Sequence, residues 1–138
     1  MKIKLSILAV LILNGCSASG PAFKPIIPLP SDKGVVYIYR EHSIFGSAVY
    51  GTVTANNAPI TKINNGGYFP YITDANNVHF EVSTEATNEA DLIIEKGKEK
   101  YLKTTIGMGF LVGHLKFTEV TPETGQKEIS ECNLLEPY

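Results

Sequence analysis

The sequence predicts an all-β protein, an antiparallel two-layer β-sandwich. Three observations lead there. "VHFEVST" alternates without a break: Val78, Phe80 and Val82 fall on one face, His79, Glu81 and Ser83 on the other, the period of a half-buried strand. Clusters of turn-forming residues ("NN" at 56–57, "NNGG" at 64–67, "TDANN" at 73–77) separate such segments at short, even intervals. The stretch from Lys33 to Tyr138 is just over a hundred residues long, enough for one domain with one core.

Nine short strands are expected. "GVVYIYR" places Val35, Tyr37 and Tyr39 on one side and Val36, Ile38 and Arg40 on the other. "SAVYGTVTA" follows, and Asn56 and Asn57 suit the positive φ angles of a tight hairpin. "PITKI" begins with Pro59, where a missing N–H does little harm. "YFPYI" and "VHFEVST" come next. "TEATNEA" reads as a loop, since Ala90, Leu92 and Ile94 carry the next alternation. "ADLIIEKGKEKYLKTTI" reads as two strands joined around Gly97, with Leu102 and Ile106 inward and Lys100 and Lys103 toward solvent. "HLKFTEV" puts Leu115 and Phe117 on one face. "TPETG" reads as a turn and "QKEISEC" as a last, polar edge strand.

The first residues, "MKIKLSILAVLILNGCSASG", carry two early lysines and an apolar run at 5–13. That run is too short for a permanent membrane helix and suits a secretory signal. Its end, Leu13-Asn14-Gly15-Cys16, resembles the lipobox of bacterial lipoproteins. The resemblance implies a signal peptide over 1–15 and a lipid on Cys16. Ser17, in place of an aspartate, implies the outer membrane, facing the periplasm or the cell surface. The alternative is an ordinary secretory signal with an incidental cysteine. Residues 16–32 contain Pro21, Pro25, Pro28 and Pro30, which prevent a helix and favour an extended tether between lipid and domain. The other reading of "FKPIIPLP" is an edge segment packed on the domain.

"VVYIYR", "GSAVYGTVTANNAPITKINNGGYFPYITDANNVHFEV", "IGMGFLVGHLKF" and "KEISECNLL" resemble the bacterial lipoprotein family with domain of unknown function 2846, over residues 34–135. "NGGYF" and "GMGFLVG" are the most specific parts. The resemblance implies an envelope lipoprotein with an immunoglobulin-like or transthyretin-like sandwich. It implies no reaction. Where the family leads one to expect a basic residue after the last glycine, this chain has His114.

Chemistry is sparsely signposted. The chain has 12 basic and 14 acidic residues, and loss of the leader would remove Lys2 and Lys4. Without a basic face, nucleic acid is not an expected partner. "GMGFLVG" is not a dinucleotide fingerprint, because its glycines are spaced one residue too far and a strand follows instead of a helix. His42, His79 and His114 lack metal-ligand spacing, so no metal and no cofactor is expected. Ser43 and Ser47 lack a nucleophile elbow, and no catalytic residue is assigned. Glu81, Glu85, Glu89 and Asp91 read as a solvated rim. Cys132 reads as a buried thiol, with pairing to another chain as the alternative.

What stands out is two apolar, glycine-bearing loops. One carries Ile44 and Phe45, the other Met108, Phe110, Leu111 and Val112. At the same end of a sandwich they would form a contact patch; folded inward they would close the core. The expectation is a non-catalytic module that binds an envelope or secretion-machinery protein through these six residues, anchored by a lipid on Cys16. The alternative is a glycan- or peptidoglycan-binding module that uses Tyr68, Phe69 and Tyr71. Whether a small molecule binds is left open.

Overall fold

The computed structural model describes residues 17–107 and 113–138. Two sheets face each other. The strands are β1 (Gly34–Tyr39), β2 (Gly51–Ala55), β3 (Ala58–Ile63), β4 (Gly67–Thr73), β5 (Asn77–Ser83), β6 (Thr87–Ile93), β7 (Glu99–Gly107), β8 (His114–Val120) and β9 (Asn133–Leu134), with one helix, α1 (Pro122–Ile129). One sheet has the order β8-β7-β1-β4-β9, the other β3-β2-β5-β6. The all-β sandwich read from the alternation is present. Antiparallel pairs dominate it, but β1 runs parallel to β7 and β4 parallel to β9.

The core between the sheets follows the period of two. Val36 and Ile38 of β1, Val53 of β2, Val78, Phe80 and Val82 of β5, Leu102 of β7, and Leu115 and Phe117 of β8 are buried together. Burying an aliphatic or aromatic side chain of this size contributes about 1.5–3 kcal/mol. Asn56 and Asn57 take φ values of 47° and 67°, which joins β2 to β3 as a tight hairpin. Pro59 lies on the outer strand β3 beside a register shift at Val53/Thr54, where its missing N–H disturbs least.

β1 is buried on both faces. Val35, Tyr37 and Tyr39 point away from the first core into a second one, with Tyr68, Tyr101, Ile129 and Cys132. Two elements cover it, and both depart from the sequence expectations.

The first is the proline-rich segment. It does not stand free as a tether over its described part; it packs on the domain as an edge segment. Phe23 meets Tyr37 and Tyr68 edge-on at centroid distances of 5.3 and 5.0 Å. Ile26 N–H donates to the Tyr37 hydroxyl at 2.9 Å. Ala22 bridges Asn133, and Ser17 bridges Asn65. The apolar Phe23, Ile26 and Leu29 explain this, because each gains burial that a solvated spacer would forgo.

The second is α1, where a turn and an edge strand were expected. Thr121 caps the N-terminus, Pro122 takes a first-turn position and Glu123 follows it, all favourable at a helix start. Ile129, its last residue, and Cys132, just past its C-terminus, are buried. Gly125 lets the helix sit close: a Cβ there would lie 2.2 Å from Tyr101 Cγ. A smaller difference concerns "TEATNEA": β6 already begins at Thr87, because residues 87–93 pair fully with β5.

Candidate functional site

At one end of the sandwich the chain leaves β1 and takes residues 40–50 to reach β2. Ile44 is 99% exposed and Phe45 60% exposed at the tip of this loop, and Tyr50 is exposed at its foot. Large apolar side chains at a loop tip need a cause, because turn chemistry favours polar residues there.

The loop is fixed from beneath by polar groups. Arg40 is buried at 2% exposure. Its guanidinium donates to Val49 O at 2.5 Å and Gly46 O at 2.7 Å. Among the described residues no carboxylate lies within ion-pair distance of it, so loop carbonyls take the place of a counter-ion. Burial lowers its pKa from the ordinary value; the guanidinium stays charged because that value is so high. Asn65 Oδ1 accepts from Ser43 N–H at 2.8 Å, tying the loop to the turn before β4. Gly46, at φ +66°, rests on Ile106, whose Cδ1 would be 2.2 Å from an added Cβ. A side chain there would be strained and would also meet β7. Sequence reading found Ile44 and Phe45 but passed over Arg40 and Asn65. Arg40 closes an alternating strand and looks like any surface arginine.

Gly46 against Ile106 also places the last residues of β7 beside this loop. β7 and β8 pair up to Gly107 and His114, so the connection at 108–112 starts from the same end as Ile44. Met108, Phe110, Leu111 and Val112, and likewise Cys16, lie outside the described residues.

Beside the loop, β7 runs on past the end of its partner β1, whose last pair is Tyr39 with Lys103. A depression of about 330 Å³ opens there, lined by Arg40, Phe45, Thr104 and Ile106 among others. Lys103, expected in solvent, closes one wall between Glu41 at 2.6 Å and Glu128. Burial alone would lower its pKa, but hydrogen bonds to the two carboxylates raise it. Glu128 shows the converse: burial would raise it, and Lys103 and its other partners bring it below the usual range. Tyr39 donates to Glu128, and burial followed by that carboxylate raises its pKa. Cys132 is buried as expected, its thiol directed at Arg40 O at 3.5 Å. Burial, then the nearby carboxylates, pushes it up to about 12, so it stays a neutral thiol.

His42, Ser43, Ser47 and Asn65 share a shallow hollow on the loop's other side. The His42 ring packs on Gly66, where an added Cβ would lie 2.1 Å from Cε1. Neither serine hydroxyl is hydrogen-bonded to it among the described residues.

His79 is outward, as its alternation requires, but it is not alone. The β5–β6 register sets it opposite Asp91. Its Nδ1 lies 2.7 Å from Asp91 Oδ1 and its Nε2 lies 3.1 Å from Glu81 Oε1. These hydrogen bonds, Asp91 first, raise its pKa. His79, Glu81 and Glu89 could each offer one ligand atom within 4.8 Å of the others. Spacing along one strand could not reveal a set that forms across two. With a carboxylate at each ring nitrogen, a proton on both fits the geometry as it stands.

The three aromatics considered for glycans do not share one face: Tyr68 belongs to the second core, Phe69 and Tyr71 pack on the first. Tyr68 is buried against Phe23, and Tyr71 meets Phe80 edge-on at 5.5 Å. Strand pairing explains it: Tyr68 and Phe69 face Tyr39 and Ile38 across β1 and share their cores.

In comparisons with known proteins, no family model, no curated protein and no solved structure matched the chain. No helix among the described residues is long and apolar enough to cross a membrane.

Proposed function

We propose that this chain is a lipid-anchored, non-catalytic protein of the bacterial envelope that works by contact through the loop end of its sandwich. The anchor is the lipid on Cys16, in keeping with "LNGC" and the apolar run before it. The observation that carries the reading is the pair Ile44 and Phe45, exposed on a backbone held by Arg40 and Asn65. A tip held in place beforehand loses little entropy on contact. Its partner is another component of the same envelope, with a protein and the lipid surface as the two chemistries that suit an apolar tip.

The anchor is tested by mass spectrometry of the mature chain and by fractionation of a Cys16→Ser variant. An unmodified cysteine, or a membrane fraction unchanged by the substitution, would refute it. Contact is tested with Ile44→Asp combined with Phe45→Asp in the anchored protein. Unchanged photocrosslinking neighbours from position 47 would refute the role of the tip.

A further inference from the structure

The placement of Ser17 bears on what the tip touches. Ser17 pairs with Asn65, and Ala18 N–H donates to Asn65 O at 3.0 Å. The same Asn65 holds Ser43 through its side chain. One asparagine therefore separates the residue after the anchoring cysteine from the residue before Ile44. A lipid-bearing residue preceding Ser17 lies one Cα step, about 3.8 Å, from it. Acyl chains on that residue would start beside the loop, since the segment from Ala18 to Phe23 packs on the domain.

We infer that Ile44 and Phe45 insert into the leaflet that holds the protein's own anchor, so that the sandwich stands on two points with a defined tilt. The inference rests on the lipid-anchor reading above. An apolar tip with an aromatic residue at its foot is the composition of interfacial insertion, where tyrosine occupies the headgroup level. Phe45 and Tyr50 are the exposed aromatics of this loop. Glu41, the carboxylate nearest the tip in sequence, pairs with Lys103, which it shares with Glu128. Bringing the loop to the bilayer thus does not bury an unpaired charge at Glu41. With several acyl chains holding the protein, insertion decides orientation rather than residence. It would leave the opposite end, with the exposed Ile93, facing the aqueous compartment.

The chain contains no tryptophan, so a single introduced indole reports on one place. Full-length lipidated Ile44→Trp protein is reconstituted in phosphatidylethanolamine–phosphatidylglycerol vesicles, and Ile93→Trp serves as the comparison. The expected result is co-flotation of both variants, blue-shifted emission from position 44, and quenching by acyl-brominated lipid several-fold stronger there than at position 93. Adding Phe45→Asp should lose most of that quenching. Flotation with equal, weak quenching at both positions overturns the insertion and leaves the anchor standing. Failure to float overturns both. Capture of an envelope protein by a photocrosslinker at position 44, without lipid quenching, overturns the insertion in favour of a protein partner.

Discussion

Arg40→Met removes the guanidinium that braces the exposed loop and keeps much of the apolar stem. Two hydrogen bonds from a charged donor, to Gly46 O and Val49 O, are lost. Bonds of this kind contribute about 1.5–3 kcal/mol each. Part of that is returned, because a buried cation no longer has to be desolvated. The two carbonyls are left without their donor, unless the loop opens and gives up the contact of Gly46 with Ile106. The balance is a loss of about 3 kcal/mol. At about 4–8 °C per kcal/mol for a small domain, Tm should fall by about 12–24 °C. Arg40→Lys can reach one carbonyl at a time and should lose about half as much. Urea titration followed by circular dichroism measures the stability, and limited proteolysis measures the loop. Cleavage within 41–50 should appear in Arg40→Met well before global unfolding. A variant within about 0.5 kcal/mol of the parent, the level of an ordinary surface substitution, and uncut in the loop would refute the brace.

Gly125→Ala should destabilise, against the usual gain of about 0.5–1 kcal/mol for alanine in a helix. Its Cβ meets Tyr101, and overpacking costs about 1–3 kcal/mol; urea denaturation that shows a stabilised variant would refute the docking of α1. His79 should titrate above its ordinary 6.5 by NMR, held up by Asp91 and then Glu81. Its contribution to stability is complete below pH 6.5 and disappears as pH rises through the raised value, so His79→Gln should flatten the pH dependence of stability in that window. Cys132 should resist iodoacetamide at about pH 8 in the folded protein and react fully in denaturant, since burial pushes its thiol up to about 12; rapid modification of the native state would contradict this.

The strands were legible because their cause is local. A period of two in "VHFEVST" and "HLKFTEV", and positive-φ asparagines between β2 and β3, act over a few residues. The helix carried one local signal: Thr121-Pro122-Glu123 suits a helix start. Gly125 in its midst read as a turn, and its real cause is Tyr101, remote in sequence. The same distance hid the site. Ile44 and Phe45 stood out as apolar residues where a turn belongs, whereas Arg40 and Asn65 gain their roles only when the loop folds back over them. His79 shows this across strands, since register alone sets Asp91 opposite it.

By itself the sequence determined the class of fold, the cores of its strands and the oddity of one loop, because side-chain alternation and turn chemistry are properties of neighbours in the chain. Only the tertiary structure decided that the proline-rich segment lies on the domain, that a guanidinium holds the loop, and that Ser17 and Ser43 meet at one asparagine. Burial of Phe23 and satisfaction of carbonyls by Arg40 depend on groups that the chain brings together from far apart, and no local pattern records them.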